Sequence, residues 1–107
     1  MHRRTALTQH APHSLLDDVI HQRTRLAIMA TLTAVEELDF GELRAGLDLT
    51  DGNLSTHATA LQQAGYVRIT KGFRGRRPRT TLAMTPKGRK ALERYVNLLR
   101  GLLKHVG

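Results

Sequence analysis

The sequence has no cysteine and no tryptophan among its 107 residues. The lack of cysteine excludes disulfides, thiolate nucleophiles and every cysteine-based zinc or iron–sulfur site. Long apolar runs are also missing, since the most apolar stretch, 26–35, is only about ten residues long, against the ~20 that a bilayer span needs. No apolar segment of signal-peptide type follows Arg3 and Arg4. We therefore expect a cytoplasmic protein without a membrane partner.

The charge is strongly polarised along the chain. There are 17 Lys and Arg against 9 Asp and Glu, a net charge of +8, and the length suits one domain. The stretch 68–90 holds nine basic residues and no acid, while eight of the nine acids lie in the first half. One face should therefore be positive and suited to a polyanion such as nucleic acid. A merely solubilising surface is the alternative.

The first elements follow a polar N-terminal stretch. Residues 1–13 have no apolar period, so we expect a disordered tail followed by one domain over 14–107. Ser14 and Asp17 have the spacing of a capping box, in which a hydroxyl accepts an early amide hydrogen and a carboxylate follows three residues on. This spacing predicts a short helix through about residue 21.

Two further helices are indicated before the middle of the chain. Thr24 can cap a helix that runs to about residue 33 or 34, with its apolar residues mostly on one face. Asp39 and Glu42 form a second pair with capping-box spacing. The pair predicts a two-turn helix after a brief extended segment at 37–38.

The next helix follows after a tight turn. The Thr50 hydroxyl can cap a helix over 51–64, and Gly65 provides its C-terminal stop. Two helices separated by three or four residues form a helix-turn-helix, whose second helix is free to enter a DNA major groove. The pattern therefore predicts a DNA-reading helix at 51–64.

Beyond Gly65 the apolar period changes from the helical to the strand value. Apolar and polar residues alternate at 66–70 and again at 81–84, which predicts two strands of a hairpin. The connection at 72–79 contains two Gly, one Pro and four Arg, so we expect it to project as a loop. Thr85 and Pro86 then predict the start of a last helix that runs to about residue 105.

The last helix, at about 85–106, carries a long apolar stripe at spacings of three and four residues. A core of roughly 70 residues cannot cover the final turns of that stripe, so we expect a second copy of the chain to cover them. The N-terminal helix folding back over the stripe is the alternative. The residues predicted at the dimer interface are Leu15, Leu16, Val19, Leu92, Val96, Leu99, Leu102, Leu103 and Val106.

In this order the motifs resemble those of the small MarR/ArsR-like transcriptional regulators. The resemblance covers 15 to about 103 and rests on RTRLAI at 23–28, LTDGNLSTH at 49–57, QAGYV at 63–67, KGF at 71–73 and RTTLAMTPKGR at 79–89. It implies a mainly α winged helix-turn-helix with a small β-hairpin. In such proteins the third main helix reads the bases, the hairpin is the wing, and the terminal helices form the dimer interface. The chain departs from metal-sensing relatives by its lack of cysteine.

The outer face of the helix at 51–64 contains the residues expected to contact DNA. Leu54, Ala58 and Leu61 fall on one side and should face the core. An outward Asn can hold adenine through two hydrogen bonds, whereas the lack of Arg and Lys on this helix argues against strong guanine readout. The predicted contacts are Thr50, Gly52, Asn53, Ser55, Thr56 and Thr59, with the backbone amides of Gly52 and Asn53 available to a phosphate. Ordinary solvent exposure is the alternative.

The wing is predicted to supply the cationic contacts. Arginines on a projecting loop can follow phosphates or enter a narrow A·T-rich minor groove. Arg76 and Arg77 should lie at the tip. The full predicted set is Lys71, Arg74, Arg76, Arg77 and Arg79.

The remaining candidates for chemistry are few. His57 is expected to be a partly buried, hydrogen-bonded residue, and the histidines have no metal-ligand spacing, so we expect no metal and no cofactor. No nucleophile or phosphate-binding motif indicates an enzyme. The sequence predicts a homodimeric, sequence-specific regulator of transcription that binds double-stranded DNA as a repressor, and it places no small-molecule effector. The alternatives are a protein-interaction module or an RNA-binding module, the latter because 72–75 has the GXXG spacing of KH loops.

Overall fold

The computed structural model describes residues 16–104. The elements alternate between helices and short strands, and a hairpin separates the last two helices. In chain order they are α1 (Arg23–Leu32), β1 (Leu38–Asp39), α2 (Phe40–Gly46), α3 (Asp51–Gln63), β2 (Val67–Arg74), β3 (Arg77–Met84) and α4 (Pro86–Leu103). The mainly α winged-helix architecture predicted from the sequence is thereby confirmed.

Side-chain caps set the starts of these helices. At α2 the Asp39 carboxylate accepts the Gly41 amide at 2.8 Å and Glu42 accepts the Asp39 amide at 3.3 Å, which confirms the capping box. The hydroxyls of Thr50 and Thr85 cap α3 and α4 in the same way. The helix predicted to end near residue 33 is present as α1, but its predicted cap is wrong, because Gln22 rather than Thr24 provides it.

The segment before α1 is a turn rather than the predicted helix through residue 21. The Asp17 carboxylate accepts the amides of Val19 and Ile20 at 2.9 and 3.2 Å, a local bond that competes with helix formation. Arg25 Nε also donates to the Val19 carbonyl at 2.6 Å and holds the turn against α1. Ser14 and the predicted tail, 1–13, lie outside the described residues.

Two tyrosines join this turn to the rest of the domain. The Tyr66 hydroxyl donates to the Asp17 carboxylate, and His21 Nδ1 lies 2.8 Å from the Tyr95 hydroxyl. Burial raises the pKa of Tyr66 to about 12, and the hydrogen bond to Asp17 adds to the shift. Tyr66 therefore stays a neutral donor at physiological pH, so its bond to Asp17 persists there.

The sheet has the antiparallel order β1-β3-β2. The hairpin is confirmed, but the projecting loop predicted at 72–79 is wrong, because β2 and β3 remain paired out to Arg74 and Arg77. Only Gly75 and Arg76 connect them, and Gly75 has φ +63°, which fits the first central position of a type II′ turn. Continuous cross-strand pairing makes the wing a two-stranded ribbon up to its turn.

The outer part of β3 has one open edge. β1 pairs with β3 only at Thr81 and Leu82, so Pro78 lies beyond its reach. Pro78 faces Phe73, one step from the closing pair of the hairpin, where the amide position of a strand points away from its partner. Proline is tolerated there because no ladder hydrogen bond is lost.

The start of α4 is fastened to the junction between α3 and β2. Thr85 donates its hydroxyl to the Gly65 carbonyl at 2.6 Å and its amide to the Tyr66 carbonyl at 3.0 Å. A Cβ added at Gly88 would lie 2.1 Å from the Tyr66 carbonyl oxygen. This close approach of two backbones fixes the hairpin relative to α3 and α4.

The core lies between the helices and the inner half of the sheet. Its buried side chains come from all four helices and from β2 and β3, so one apolar cluster fixes α3 and the hairpin on the same frame. Among them are Ile20, Ile28, Met29, Leu32, Leu43, Leu54, Leu61 and Leu82.

Candidate nucleic-acid interface

The outer face of α3 carries no cationic side chain. Leu54, Ala58 and Leu61 are buried as predicted, which turns the opposite face to solvent. The residues predicted to contact DNA are therefore all exposed, namely Thr50, Gly52, Asn53, Ser55, Thr56 and Thr59. Their amide and hydroxyl groups offer both hydrogen-bond donors and acceptors at the surface of one helix.

The N-terminus of α3 differs from the expectation in one respect. The backbone amide of Asn53 donates to the Thr50 hydroxyl at 3.0 Å. It is therefore not free to bind a phosphate, contrary to the prediction. Thr50 is accordingly a cap as well as an exposed residue. The Gly52 position is open, since a Cβ there would meet nothing within 4 Å.

One cation that the sequence did not indicate lies beside this helix. Arg44, on α2, places Nε 2.9 Å from the Asp51 carboxylate at the start of α3. The pair bridges the turn of the helix-turn-helix and partly neutralises the one acid in the first turn of α3. The only indication of this pair in the sequence is that two opposite charges, Arg44 and Asp51, lie on either side of a predicted tight turn.

A groove separates α3 from the hairpin. It has a volume of about 550 Å³. One wall carries Ser55, Thr59 and Gln62, and the other carries Ile69, Lys71 and Thr80, with Phe40 and Ala58 completing the lining. Hydroxyls, an amide and one ammonium group therefore line the space between helix and wing, a donor set that suits phosphate and sugar oxygens.

The outer hairpin is exposed and cationic. Lys71, Arg74, Arg76 and Arg77 are all exposed, with Arg76 in the turn and Arg77 first in β3, so both lie at the tip as predicted. Within residues 16–104 the ion pairs involve only Arg44 and Arg79. The described fold thus provides no carboxylate for the four cations of the outer hairpin.

Arg79 departs from the prediction for the wing. Its Nε lies 3.3 Å from the Asp39 carboxylate, its Nη1 lies 3.9 Å from Glu37, and its side chain is only 29% exposed. The Gly41 amide, and then Arg79, hold the pKa of Asp39 below its usual value. In the described fold Arg79 therefore fastens the hairpin to the start of α2, and its contact with DNA stays a prediction.

His57 has the partly buried environment that the sequence predicted. Its Nδ1 lies 3.3 Å from the Arg25 guanidinium, between α3 and α1. Burial lowers the pKa of His57, and the positive charge of Arg25 lowers it further. A neutral imidazole is therefore favoured, and among the described residues no group of three His, Cys, Asp or Glu side chains could hold a metal.

The apolar stripe of α4 is only partly covered. Leu92 belongs to the core of the domain and is 8% exposed, so little of its side chain is left for the partner contact that the sequence predicted. Leu16, Val19, Val96 and Leu99 pack against that core but stay partly exposed. Leu102 is half-buried, Leu103 is 60% exposed, and Leu15 and Val106 lie outside the described residues.

Membrane insertion finds no support in the helices. Across residues 16–104, none of them combines the length and the apolar composition that crossing a bilayer requires.

Comparison with known proteins defines the class. Residues 24–103 match a family model described as a winged helix DNA-binding domain. The uncharacterised protein MJ0432 of Methanocaldococcus jannaschii is 33% identical over 88 residues, which span 82% of this chain and 96% of that protein. The chain therefore belongs to the winged helix DNA-binding domain family.

Solved structures of transcriptional regulators share this fold. A transcriptional regulator homologue from Pyrococcus horikoshii OT3 superposes with a TM-score of 0.78 at 26% identity, covering 99% of this chain and 98% of that one. A MarR-family regulator from Enterococcus faecalis V583 has a TM-score of 0.71 at 20% identity, covering 97% and 88%. The winged helix fold that the resemblance in the sequence motifs implied is thereby confirmed.

Proposed function

We propose that this protein is a transcriptional regulator that binds double-stranded DNA sequence-specifically as a homodimer. In this proposal α3 lies in the major groove, and the outer hairpin follows the backbone or the adjacent minor groove. Bound in this way at a promoter, it would act as a cytoplasmic repressor by occupying the site.

One observation carries the proposal. An uncharged, hydroxyl-rich helix face lies across a groove from exposed cations that have no carboxylate partner in 16–104. The helix supplies groups that distinguish base edges, and the cations supply salt-dependent attraction to phosphate. A solubilising surface would explain the charge but not its position beside such a helix.

The homodimer rests on α4. Its C-terminal half carries a row of leucines and valine that the subunit covers only in part, ending at the exposed Leu103. Two copies joined there would present two α3 helices related by two-fold symmetry. Half-sites about one helical turn, ~34 Å, or a multiple of it apart are then expected.

The test is selection from a pool of randomised duplexes, followed by footprinting of the enriched sequence. We expect a two-fold symmetric site with protection in two major-groove segments. Asn53→Ala should relax the preference for adenine at one position of each half-site and cost about tenfold in affinity. Gln63→Ala, at the opposite end of the same helix, is the matched control and should bind as the wild type does.

Three outcomes would contradict the proposal. They are no enrichment of any duplex sequence, protection of a single asymmetric segment, and tighter binding to a single-stranded RNA pool at the same salt concentration. The last would favour the RNA-binding alternative, although residues 72–74 belong to β2 and Gly75 to a hairpin turn here, whereas a KH loop joins two helices.

A further inference from the structure

One aromatic side chain of the wing has no role in the fold. Phe73 is 74% exposed, more than any other large apolar residue in the described range, where Leu103 and Val35 follow at 60% and 38%. It lies near the end of β2, between Lys71 and the arginines of the tip. An exposed ring in such cationic surroundings is unusual for a surface that serves solubility alone.

The strand register places Phe73 on the side of the hairpin that faces α3. Side chains alternate along a strand, so Phe73 shares a face with Ile69 and Lys71, both of which line the groove. Across the ladder Phe73 pairs with Pro78, just as Lys71 pairs with Thr80. Phe73 and Pro78 therefore extend the hairpin wall of the groove outward, past the last polar lining residues.

We propose that Phe73, backed by Pro78, packs against the deoxyribose edge of the minor groove in the duplex that α3 reads. This inference rests on the proposed DNA binding and adds a contact that does not depend on phosphate charge. The C–H edges of deoxyribose are the apolar part of the DNA backbone, and side chains such as Phe are used as wedges at the minor groove. Arg76, in the adjoining turn, would meet the flanking phosphates.

The charge around the ring favours DNA over other occupants. A second copy of the chain would bring Arg74, Arg76 and Arg77 against their own counterparts. A stable protein interface also buries roughly 800 Å² per partner, whereas one aromatic side chain supplies about 200 Å². An anionic bilayer would attract the arginines, but stable insertion needs a broader apolar face than one ring and one proline.

The experiment compares Phe73 variants on the duplex that the wild type selects from the randomised pool. Phe73→Ala should lower affinity about tenfold at every salt concentration, because the variant no longer buries a ring. The slope of log affinity against log salt should stay at the wild-type value, since the cations still bind the same phosphates. Phe73→Leu should recover part of the affinity. Thr70→Ala, an exposed position on the opposite face of β2, is the matched control and should bind normally.

Footprinting locates the contact. Hydroxyl radicals report the exposure of sugar edges, and dimethyl sulfate reports guanine N7 in the major groove. With Phe73→Ala we expect the hydroxyl-radical protection at the flanks of the site to disappear and the dimethyl sulfate pattern to remain. That combination assigns the ring to the sugar edge rather than to the positioning of α3.

Several results would overturn the inference. Wild-type affinity in Phe73→Ala is one, and a changed salt slope is another, because the ring would then act only by placing the arginines. A third is binding of the wild type to vesicles of phosphatidylserine and phosphatidylcholine that Phe73→Ala abolishes while duplex binding stays intact. If the wild type enriches no duplex at all, the proposed function itself fails, which is a distinct result.

Discussion

The inner and outer halves of the hairpin are built from the same two strands but serve different purposes. In the inner half Val67 and Leu82 are buried, and β1 extends the sheet. From Lys71 to Pro78 every residue is exposed, although the pairing continues to the turn. The inner half is held by contacts within the domain, and the outer half leaves its side chains exposed.

Arg79 marks the boundary between the two halves. It is one of four arginines in a stretch of eight residues, yet it alone of these pairs with carboxylates of the described fold. A basic run is therefore not uniform. Position on the ladder, rather than sequence composition, decides which of these arginines pair with carboxylates of the described fold and which do not.

The largest effect on stability is expected where the start of α4 packs against the backbone of Tyr66, at the base of the hairpin. Gly88→Ala would place a methyl group against the Tyr66 carbonyl, and the required backbone shift should lower the free energy of unfolding by about 3 kcal/mol or more. Urea denaturation followed by circular dichroism measures it. Gly72→Ala in the outer half, where a Cβ meets nothing within 4 Å, should leave stability almost unchanged. Equal destabilisation of the two variants would contradict the division of the hairpin into a packed inner half and an exposed outer half.

The next effect concerns the outer cations. Arg76→Ala combined with Arg77→Ala should leave the melting temperature unchanged and flatten the salt dependence of duplex binding by about 0.9 for each phosphate that the double variant no longer neutralises. Titrations of the selected duplex over a series of salt concentrations measure the slope. Arg89→Ala with Lys90→Ala removes the same charge from exposed positions on α4. A slope that falls equally in this control would mean that net charge, not the wing, sets the affinity.

A smaller effect is expected at the boundary. Arg79→Ala should lower the melting temperature by a few degrees at most, because it removes a partly exposed ion pair, and the decrease should shrink at high salt. The salt slope of DNA binding should remain that of the wild type. If the slope falls as it does in the tip variant, Arg79 exchanges its carboxylates for phosphate when DNA binds, and the boundary lies further inward along the hairpin.

The smallest expected effect is a pH dependence of stability at His57. It tests whether α3, like the hairpin, has one side held by the fold and one side left exposed. Because burial beside Arg25 lowers the pKa of His57 below the unfolded value of 6.5, the unfolded chain binds the proton more readily. The contribution of His57 to stability is therefore complete above about pH 6.5 and decreases as the pH falls toward the folded pKa. Urea midpoints of His57→Gln should vary less than those of the wild type between about pH 5 and pH 8. Parallel curves would mean that folding does not lower the pKa of His57.

Local patterns were sufficient to predict most of the fold. The caps at Asp39, Thr50 and Thr85 are short-range hydrogen bonds, and each lies where the sequence indicated. The buried face of α3 followed from helical spacing alone, which also determined which of its residues are exposed. The turn at 18–20 was missed because the Asp17 carboxylate bonds its own backbone, an alternative that the capping-box spacing does not distinguish.

The candidate site depended more on distant contacts. Glycine, proline and arginine at 72–79 indicate a loop by composition, yet pairing with the opposite strand extends the ladder to the turn. The bond from Arg79 to Asp39 spans 40 residues and leaves no local signature. The same holds for Arg44, whose approach to Asp51 depends on the angle between two helices. Exposure along the hairpin was predictable, whereas the partners of individual cations were not.

Pro78 has a consequence for how neighbouring copies coexist. A two-stranded ribbon with an unpaired border is a template onto which another ribbon can hydrogen-bond, and such strand addition leads to aggregates. Pro78 lacks the amide hydrogen at that border and so interrupts the pattern another chain would need. Strand addition at the outer edge of β3 is therefore disfavoured, whereas the free edge of β2 carries no such interruption.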